Sequence, residues 1–453
     1  MACQLPRKTL PACVAALLAA GSIAAPSWRD AIALPVGDNV PTNPDTVRTI
    51  TNCDDSGTGS LRDTIASAVS GDVIDLTQLA CSEITLYGKI PIVVSDLTLL
   101  GPGVGPEASH HLAIYGFYDR VLEHGTGTLT ISGLKIAYGD YQGMLARGGC
   151  ILAQGSLVIE DSIVTGCEVD AAYGTNVFAA GGAIYAQGEL WLQNTTITNN
   201  VAYSGTQQAY GGGVFASDLV TIESSTIADN KVIAPQAPAI GGGMMVVGVS
   251  DVTIVSSTIS GNQAEIAGGI RIDTLGTSRI IDSTLSGNYA LYAGAASVSN
   301  SPLKLINSTV ARNASYGETA GIYSDQPITA QSSIVADNRS VAVDPVDISA
   351  PAVAGFANLI THSSSGTPSD TVALCPRLSA LADHGGPTFT HALIEGSPGI
   401  DVGANSIPLA SDQRGAAYPR VAGSGPDIGA YEWQGELDDE LFKSAFEVAC
   451  DEY

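Results

Sequence analysis

Residues 181–200 read GGAIYAQGELWLQNTTITNN, and residues 212–230 read GGVFASDLVTIESSTIADN. Each phrase starts on paired glycines, runs through short apolar segments, and closes on an aliphatic residue followed three places later by Asn. The phrase recurs down the middle of the chain. Its small steps are Gly148-Gly149, Gly181-Gly182, Gly212-Gly213, Gly242-Gly243, Gly268-Gly269, Ala293-Gly294 and Ala320-Gly321. The aliphatic positions are Val164, Ile197, Ile227, Ile259, Leu285, Val310 and Val335. Asn follows as Asn200, Asn230, Asn262, Asn288, Asn313 and Asn338, and only the first copy differs, with Cys167. A repeat of 25 to 33 residues is the size of one solenoid coil. Such coils share one continuous core, so the repeats imply one elongated body.

Between the steps lie short segments such as Leu97-Thr-Leu-Leu, Leu129-Thr-Ile-Ser, Leu157-Val-Ile-Glu, Leu190-Trp-Leu-Gln and Val252-Thr-Ile-Val. Their period-two alternation points one side chain inward and the next outward. No helix-length periodic segment interrupts them, and the Asn-Gly signature of tight hairpins is missing. Three strands per coil, stacked in parallel about 4.8 Å apart, make an all-β right-handed parallel β-helix. Gly at each step permits a positive φ or a close backbone approach at a corner. The aliphatic residue stacks on its equivalent in the next coil. The Asn residues at the following turn form a ladder that satisfies amides otherwise buried without partners.

The Gly-Gly-Ala-Ile of 181–184, flanked by aliphatic-x-x-Asn, resembles the repeats of polymorphic outer-membrane and autotransporter-like surface proteins. Those repeats use Phe where this chain uses Ile, Leu or Val. The resemblance implies a β-helix. The C-terminal membrane barrel of alternating ten-residue strands is missing from this sequence.

Composition agrees with stacked short strands. Only 14% of the 453 residues are charged, 45% are hydrophobic, and Gly occurs 51 times. With 19 basic and 45 acidic residues the net charge is -26. That charge repels phosphate backbones and anionic lipid, so nucleic acid is not an expected partner, and it leaves divalent cations as ligands. Arg7 and Lys8 precede an apolar stretch from Ala12 to Ala25, the pattern of a signal peptide cleaved after Ala25 or Ala33. No other run reaches the length of a transmembrane helix. A secreted, extracellular or outer-surface monomer is expected. Outside the leader six cysteines remain, an even number that suggests disulfides in an exported chain. The pairings favoured are Cys53 with Cys81, Cys150 with Cys167, and Cys375 with Cys450. None has zinc-site spacing.

The expected organisation is a signal peptide over 1–25, an extended proline-bearing leader over 26–46, and an N-terminal cap over 47–84. The β-helix spans 85–360, a turn-rich C-terminal cap 361–433, and an acidic tail 434–453. In the N-terminal cap, Ser60 begins a short helical pattern through Ala66 and Val69, with Asp63 at the capping-box position. A strand at Asp72–Leu76 follows it.

The stretch after the Asn position is the part of the repeat that varies. It is long in three consecutive coils, 168–180, 201–211 and 231–241, and shrinks to 263–267 and 289–292 afterwards. Insertions at one point of a solenoid stack on one flank. These carry Tyr173, Phe178, Tyr203 and Tyr210, with Tyr138 and Tyr141 just before. Aromatics beside an extended groove suit sugar rings, which makes this flank the candidate ligand surface. The alternative is that they pack on one another and cover the flank.

Chemistry is sparse along the repeats. A glycoside hydrolase needs two carboxylates about 5 to 9.5 Å apart, and a lyase needs a base with a cation to stabilise charge. Arg271, Asp273, Arg279, Asp282 and Lys304 are isolated, and Arg271-Ile-Asp273 reads as a solvated salt pair. Glu160 and Glu223 occupy similar strand positions, and Glu189 is offset. No nucleophile motif, phosphate loop or dinucleotide fingerprint occurs. No catalytic or cofactor-binding residue is therefore assigned, and calcium stays open as a ligand without a motif for it.

The densest polar set is Asp383, His384, His391, Asp401, Asp412, Arg414, Asp427 and Glu432. In a turn-rich segment such carboxylates bond turn amides and Arg414. The run from Leu381-Ala-Asp-His-Gly-Gly-Pro-Thr388, through Gly396-Ser-Pro-Gly-Ile-Asp401 and Asp412-Gln-Arg-Gly415, to Asp427-Ile-Gly-Ala430 and Glu432 resembles the choice-of-anchor Q domain of secreted bacterial proteins. His384 and Gly399 stand where that pattern prefers Asn and Ala. Gly59-Ser-Leu-Arg-Asp63 is similar to the Ser-Leu-Arg-Glu-Ala motif that opens many such proteins. The tail with Phe442 and Phe446-Glu447 resembles short Phe-x-x-Gly-Phe-Glu endings of exported proteins, with Ala445 in place of Gly. These resemblances imply a surface role and carry over no catalytic residue. The sequence thus favours a non-catalytic, exported, adhesin-like β-helix that binds glycan, matrix or a surface protein on one flank. A polysaccharide lyase or glycoside hydrolase is the alternative.

Overall fold

The computed structural model describes residues 46–105, 111–144, 146–171, 177–341 and 344–435. Their backbone winds into a right-handed parallel β-solenoid of about 11 turns with almost no helix. Each coil crosses three long sheets. In one coil, Ile184–Ala186 joins a ten-stranded sheet, Leu190–Gln193 a twelve-stranded sheet and Thr196–Thr198 an eleven-stranded sheet. Pairing is parallel and in register, so Leu157, Leu190, Val220 and Val252 lie on one line. The interior is a set of aliphatic stacks. Val164, Ile197, Ile227, Ile259, Leu285, Val310 and Val335 are all fully buried. Burying each of these side chains contributes about 1.5–3 kcal/mol.

Corners are where parallel coils meet their polar cost, because a turning backbone cannot pair fully with its neighbours. Asn200 donates its backbone N–H (3.1 Å) and its Nδ2 (2.8 Å) to Asn230 Oδ1. The pattern repeats through Asn262, Asn288 and Asn313 to Asn338. Each Nδ2 also reaches the carbonyl of an aliphatic residue in the preceding coil, as Asn262 does to Ile227 at 2.9 Å. At the last rung a carboxylate replaces the amide: Asp347 Oδ1 accepts from Asn338 N and Nδ2. At the first rung Cys167 N donates to Asn200 Oδ1 at 2.9 Å.

A second ladder, not foreseen from the repeat, runs at the preceding corner. Asp161, Asn194, Ser224, Ser256, Asp282, Asn307 and Ser332 turn the chain there with φ of 46 to 49°. The residue after each is a buried Ser or Thr. Ser225 N donates to Ser257 Oγ (3.1 Å), Ser257 N to Ser283 Oγ (3.1 Å) and Ser283 N to Ser308 Oγ (3.2 Å). The hydroxyls in turn donate to the carbonyl two residues back, as Ser225 does to Glu223 at 2.7 Å.

The glycine steps need one correction. The register places Gly211-Gly212, Gly241-Gly242 and Ala267-Gly268 beside Gly148-Gly149 and Gly181-Gly182, one residue earlier than the pairs read from the sequence. The first member of each pair turns with positive φ, from 58 to 71°, in Gly148, Gly181, Gly211, Gly241, Ala267 and Ala293. The second admits no side chain: a Cβ on Gly182 would lie 2.0 Å from Gly212 O.

At the N-terminal end the helix spans Leu61–Ala66, with Ser60 accepting from Asp63 N. It stops short of Val69, which is exposed. Cys53 bonds Cys81, and Cys150 bonds Cys167. Cys375 is disulfide-bonded as well. Its expected partner, Cys450, lies outside the described residues, as do the leader and the acidic tail.

The segment after the last coil turns back. The antiparallel hairpin Leu378–Ala382/Thr390–Leu393 and the turns to Glu432 lie along the outer face of the eleven-stranded sheet. Gln413 bonds Thr258 Oγ1 (2.9 Å) and Thr284 Oγ1 (2.6 Å), and Ala430 N donates to Thr309 Oγ1 (3.0 Å). Arg420, fully buried, donates to Asp427 O and Gly429 O and pairs with Asp282 at 3.5 Å.

His391 is buried in this contact. Its Nδ1 lies 2.8 Å from Ser379 O, a pure acceptor, so Nδ1 carries the proton and Nε2 accepts from Ser286 Oγ at 2.8 Å. Burial pushes its pKa down to about 4. Glu432 moves the other way, pushed up to about 7 by burial against two opposing backbone N–H bonds. A depressed His pKa means that the folded state binds fewer protons than the unfolded chain between about pH 6.5 and 4. Its contribution to stability is therefore lost as pH falls through that window. The raised Glu432 pKa acts oppositely between about 4.5 and 7.

Two outcomes follow from these contacts. Asn262→Ala strands the Asn230 amides and the Ile227 carbonyl and costs about 4 kcal/mol in urea unfolding, against about 2 kcal/mol for Ser257→Ala. The stability advantage of the unsubstituted chain over His391→Gln shrinks by about 2 kcal/mol between pH 6.5 and 4.5. A pH-independent difference would contradict the buried neutral imidazole.

Candidate ligand cleft

The insertions after the Asn corner do stack. Asp140–Gly143, Glu168–Ala171, Val201–Ser204 and Lys231–Ile233 form a four-stranded parallel sheet, and Ala179–Ala180, Ala209–Tyr210 and Ala239–Ile240 a three-stranded one. Between them lies a thin second core of Ala146, Val169, Ala171, Ala179, Ala202, Ala209, Val232 and Ala239. Small side chains are needed there because the two sheets close on each other without the full width of a coil.

The outer row of the ten-stranded sheet runs in register from Leu152 through Tyr185, Phe215, Met245, Arg271, Ser297 and Tyr323. It changes character halfway. Beside the insertions it is apolar and covered. Tyr185 and Phe215 stack with ring centroids 4.9 Å apart and planes at 3°. Phe178 meets Tyr210 edge to face at 5.6 Å, and both pack on that pair, with the Arg147 guanidinium 5.1 Å from the Tyr185 ring centroid.

Where the insertions shrink, the cover ends and the row turns polar. A cleft of about 580 Å³ opens over Arg271 and Ser297, lined also by Tyr292, Tyr323, Ile266, Glu318 and Thr319. Both tyrosines are exposed, by 60% and 41%. The Arg271 guanidinium is held in place: Nη1 donates to Ser297 Oγ at 2.6 Å and Nη2 to Asp273 Oδ2 at 3.3 Å. Asn300 Nδ2 donates to the other oxygen of Asp273 at 2.8 Å. Glu318 is exposed and forms no ion pair among the described residues. The cleft thus combines two exposed tyrosines with a fixed set of donors and acceptors.

The residues singled out from sequence fall in several places. Phe178 and Tyr210 are half-buried in the covered part of the row. Tyr203 lies on the four-stranded sheet in register with Asp170, and Tyr173 lies outside the described residues. Tyr141 stacks beneath the Arg120 guanidinium at 3.7 Å, and Tyr138 is exposed over Gly166. Arg271 lines the cleft, and Asp273 holds its guanidinium without lining the cleft itself. Glu160 and Glu223 flank Gln193 on the twelve-stranded sheet, two coils apart and away from the cleft. Burial and the neighbouring Asp161 raise the Glu160 carboxyl above its ordinary range. Arg279 pairs with Asp251 at 2.8 Å. In the returning segment, Asp383 Oδ1 accepts from Gly385 N and Asp401 Oδ1 from Ser424 N, while His384 sits between Thr390 and Ser379. Arg414 is bound to Asp412 and stacks between Tyr418 and Tyr431. Among the described residues, no group of three or more His, Cys, Asp or Glu is placed to hold a metal ion. No helix among them is long and apolar enough to cross a membrane.

Tyr292 and Tyr323 are the functional candidates that sequence reasoning missed. Their signal was position: Tyr292 stands in the shortened stretch 289–292, in register with Ile266, and Tyr323 falls in the outward row of Arg271 and Ser297.

Residues 120–314 match the sequence profile of the family described as right handed beta helix region. Among solved structures, the chain is similar to pectate lyase Pel9A, at 14% identity and a TM-score of 0.41, over 86% of this chain and 97% of that one. No curated protein sequence matches.

Exposure separates the two halves of the row energetically. Tyr292→Ala with Tyr323→Ala changes the unfolding free energy by less than about 1 kcal/mol. Phe215→Ala costs about 3–4 kcal/mol, and urea denaturation of both variants measures the contrast.

Proposed function

We propose that this chain is an exported, non-catalytic β-helix protein that binds a glycan in the cleft below its stacked insertions. The observation that carries the reading is the pairing of two exposed tyrosine faces, Tyr292 and Tyr323, with the fixed Arg271–Asp273–Ser297 hydrogen-bonding set. Sugar rings carry apolar C–H faces and hydroxyl edges, and a site of this make-up meets both. Rigid aromatics supply contact area at low entropic cost, and prepositioned donors avoid the ordering penalty of binding. Export is supported by the Arg7-Lys8 start before an apolar stretch and by the disulfides Cys53–Cys81 and Cys150–Cys167.

Turnover is the competing reading. Glu318 is the carboxylate that lines the cleft, and the adjoining Asp273 is already committed to Arg271 and Asn300. A base or acid held in that way is poorly placed to exchange a proton with a substrate. The test is a glycan array with the full chain, followed by titration of the best ligand while reducing ends and unsaturated products are monitored. Binding without product is expected, with affinity falling at least about tenfold in Tyr292→Ala/Tyr323→Ala. Product that accumulates with time and disappears in Asp273→Asn or Glu318→Gln would make the protein a lyase or hydrolase instead.

A further inference from the structure

The charge of the cleft restricts the glycan it can take. Arg271 is the cation of the cleft, and its charge is already met by Asp273 at 3.3 Å, with Ser297 occupying a second donor direction. The carboxylate on the walls is Glu318, exposed and without an ion pair among the described residues. The local balance is therefore negative, inside a chain whose net charge is -26. A carboxylate or sulfate brought within several ångströms of Glu318 would meet repulsion that no unpaired cation among the described residues lining the cleft offsets, and the partly enclosed cleft screens it less than open water.

We infer that the cleft selects uncharged glycans and rejects polysaccharides bearing carboxylate or sulfate groups. The inference rests on the glycan-binding reading above and adds the ligand class to it. The hydrogen-bonding inventory fits. Sugar hydroxyls both donate and accept, so they can donate to the Glu318 carboxylate and to backbone carbonyls, and accept from Arg271, Ser297 and Thr319. A carboxylate ligand only accepts, and would leave Glu318 facing it unpaired. Tyr292 and Tyr323 are indifferent to that choice, because ring stacking uses the C–H faces that both kinds of sugar share. Selectivity therefore resides in Glu318 and in the neutralisation of Arg271, and strength in the tyrosines.

The experiment is calorimetric titration of the full chain with matched pairs of oligosaccharides of equal length, neutral glucans and mannans against oligouronates and sulfated glycans, at low and moderate salt. Neutral ligands are expected to bind at least about tenfold more tightly than acidic ones, with the gap narrowing as salt rises. Glu318→Gln should raise the acidic-to-neutral affinity ratio about tenfold, and Asp273→Asn should move it in the same direction by freeing Arg271. Urea midpoints of both variants establish that they are folded. Tighter binding of acidic sugars than of neutral ones, lost in Tyr292→Ala/Tyr323→Ala, would overturn this inference while leaving glycan binding in place. Failure of every glycan class to bind would overturn the functional reading itself.

Discussion

Everything in this molecule depends on keeping parallel coils in register while their corners are buried. Strands satisfy their own amides, but a corner turns backbone groups away from the ladder and into the protein. An isolated buried amide costs about 1–3 kcal/mol, so a stack of unsatisfied corners would be untenable. The chain meets this twice per coil, with the Asn200–Asn338 ladder at one corner and the Ser/Thr ladder at the other. Both are geometrically possible only because equivalent side chains repeat at the coil spacing. Each rung holds its neighbours as well as itself, so the ladders set the register that aligns the outward rows.

The two ends of the Asn ladder show the same constraint from another side. Cys167 lacks an amide to accept from its predecessor, and its disulfide to Cys150 instead ties the end of its coil to the start of the same coil. At the other end Asp347 accepts from Asn338, His362 N and Thr361 Oγ1, so a buried carboxylate is surrounded by donors. The returning segment then covers the eleven-stranded sheet from Thr258 to Leu359 through side-chain bonds made by Gln413, Arg420 and His391. One face of the later coils is thereby occupied, and the cleft lies on the ten-stranded face.

Much of this was legible beforehand, for a physical reason. A solenoid converts sequence period directly into spatial stacking, so Gly181, Ile197 and Asn200 announced a step, a core stack and a rung. The triple glycines at 211–213 and 241–243 misled by one residue, because either pair satisfies the composition and only the stacking contact selects the first. The Ser/Thr ladder was also readable: Ser225, Ser257, Ser283, Ser308 and Ser333 each stand two places before the aliphatic position. It was overlooked because Ser is as common in exposed turns as in buried ones. The cleft was harder. Phe178 and Tyr210 look like exposed loop aromatics in the sequence, but Tyr185 and Phe215 beneath them absorb their faces. Tyr292 and Tyr323 look like ordinary strand-end residues, and stay exposed where their own coils lack the long insertions.

By itself, then, the sequence determined the coil, its corners, its core and the flank on which the insertions swell, because each of these is a local pattern repeated at the stacking distance. Tertiary structure decided which aromatics were covered and which were left open, and it brought Arg271, Ser297, Tyr292, Glu318 and Tyr323 into one cleft. Those outcomes depend on what lies above a residue in neighbouring coils and on where a distant segment folds back. No single repeat encodes either.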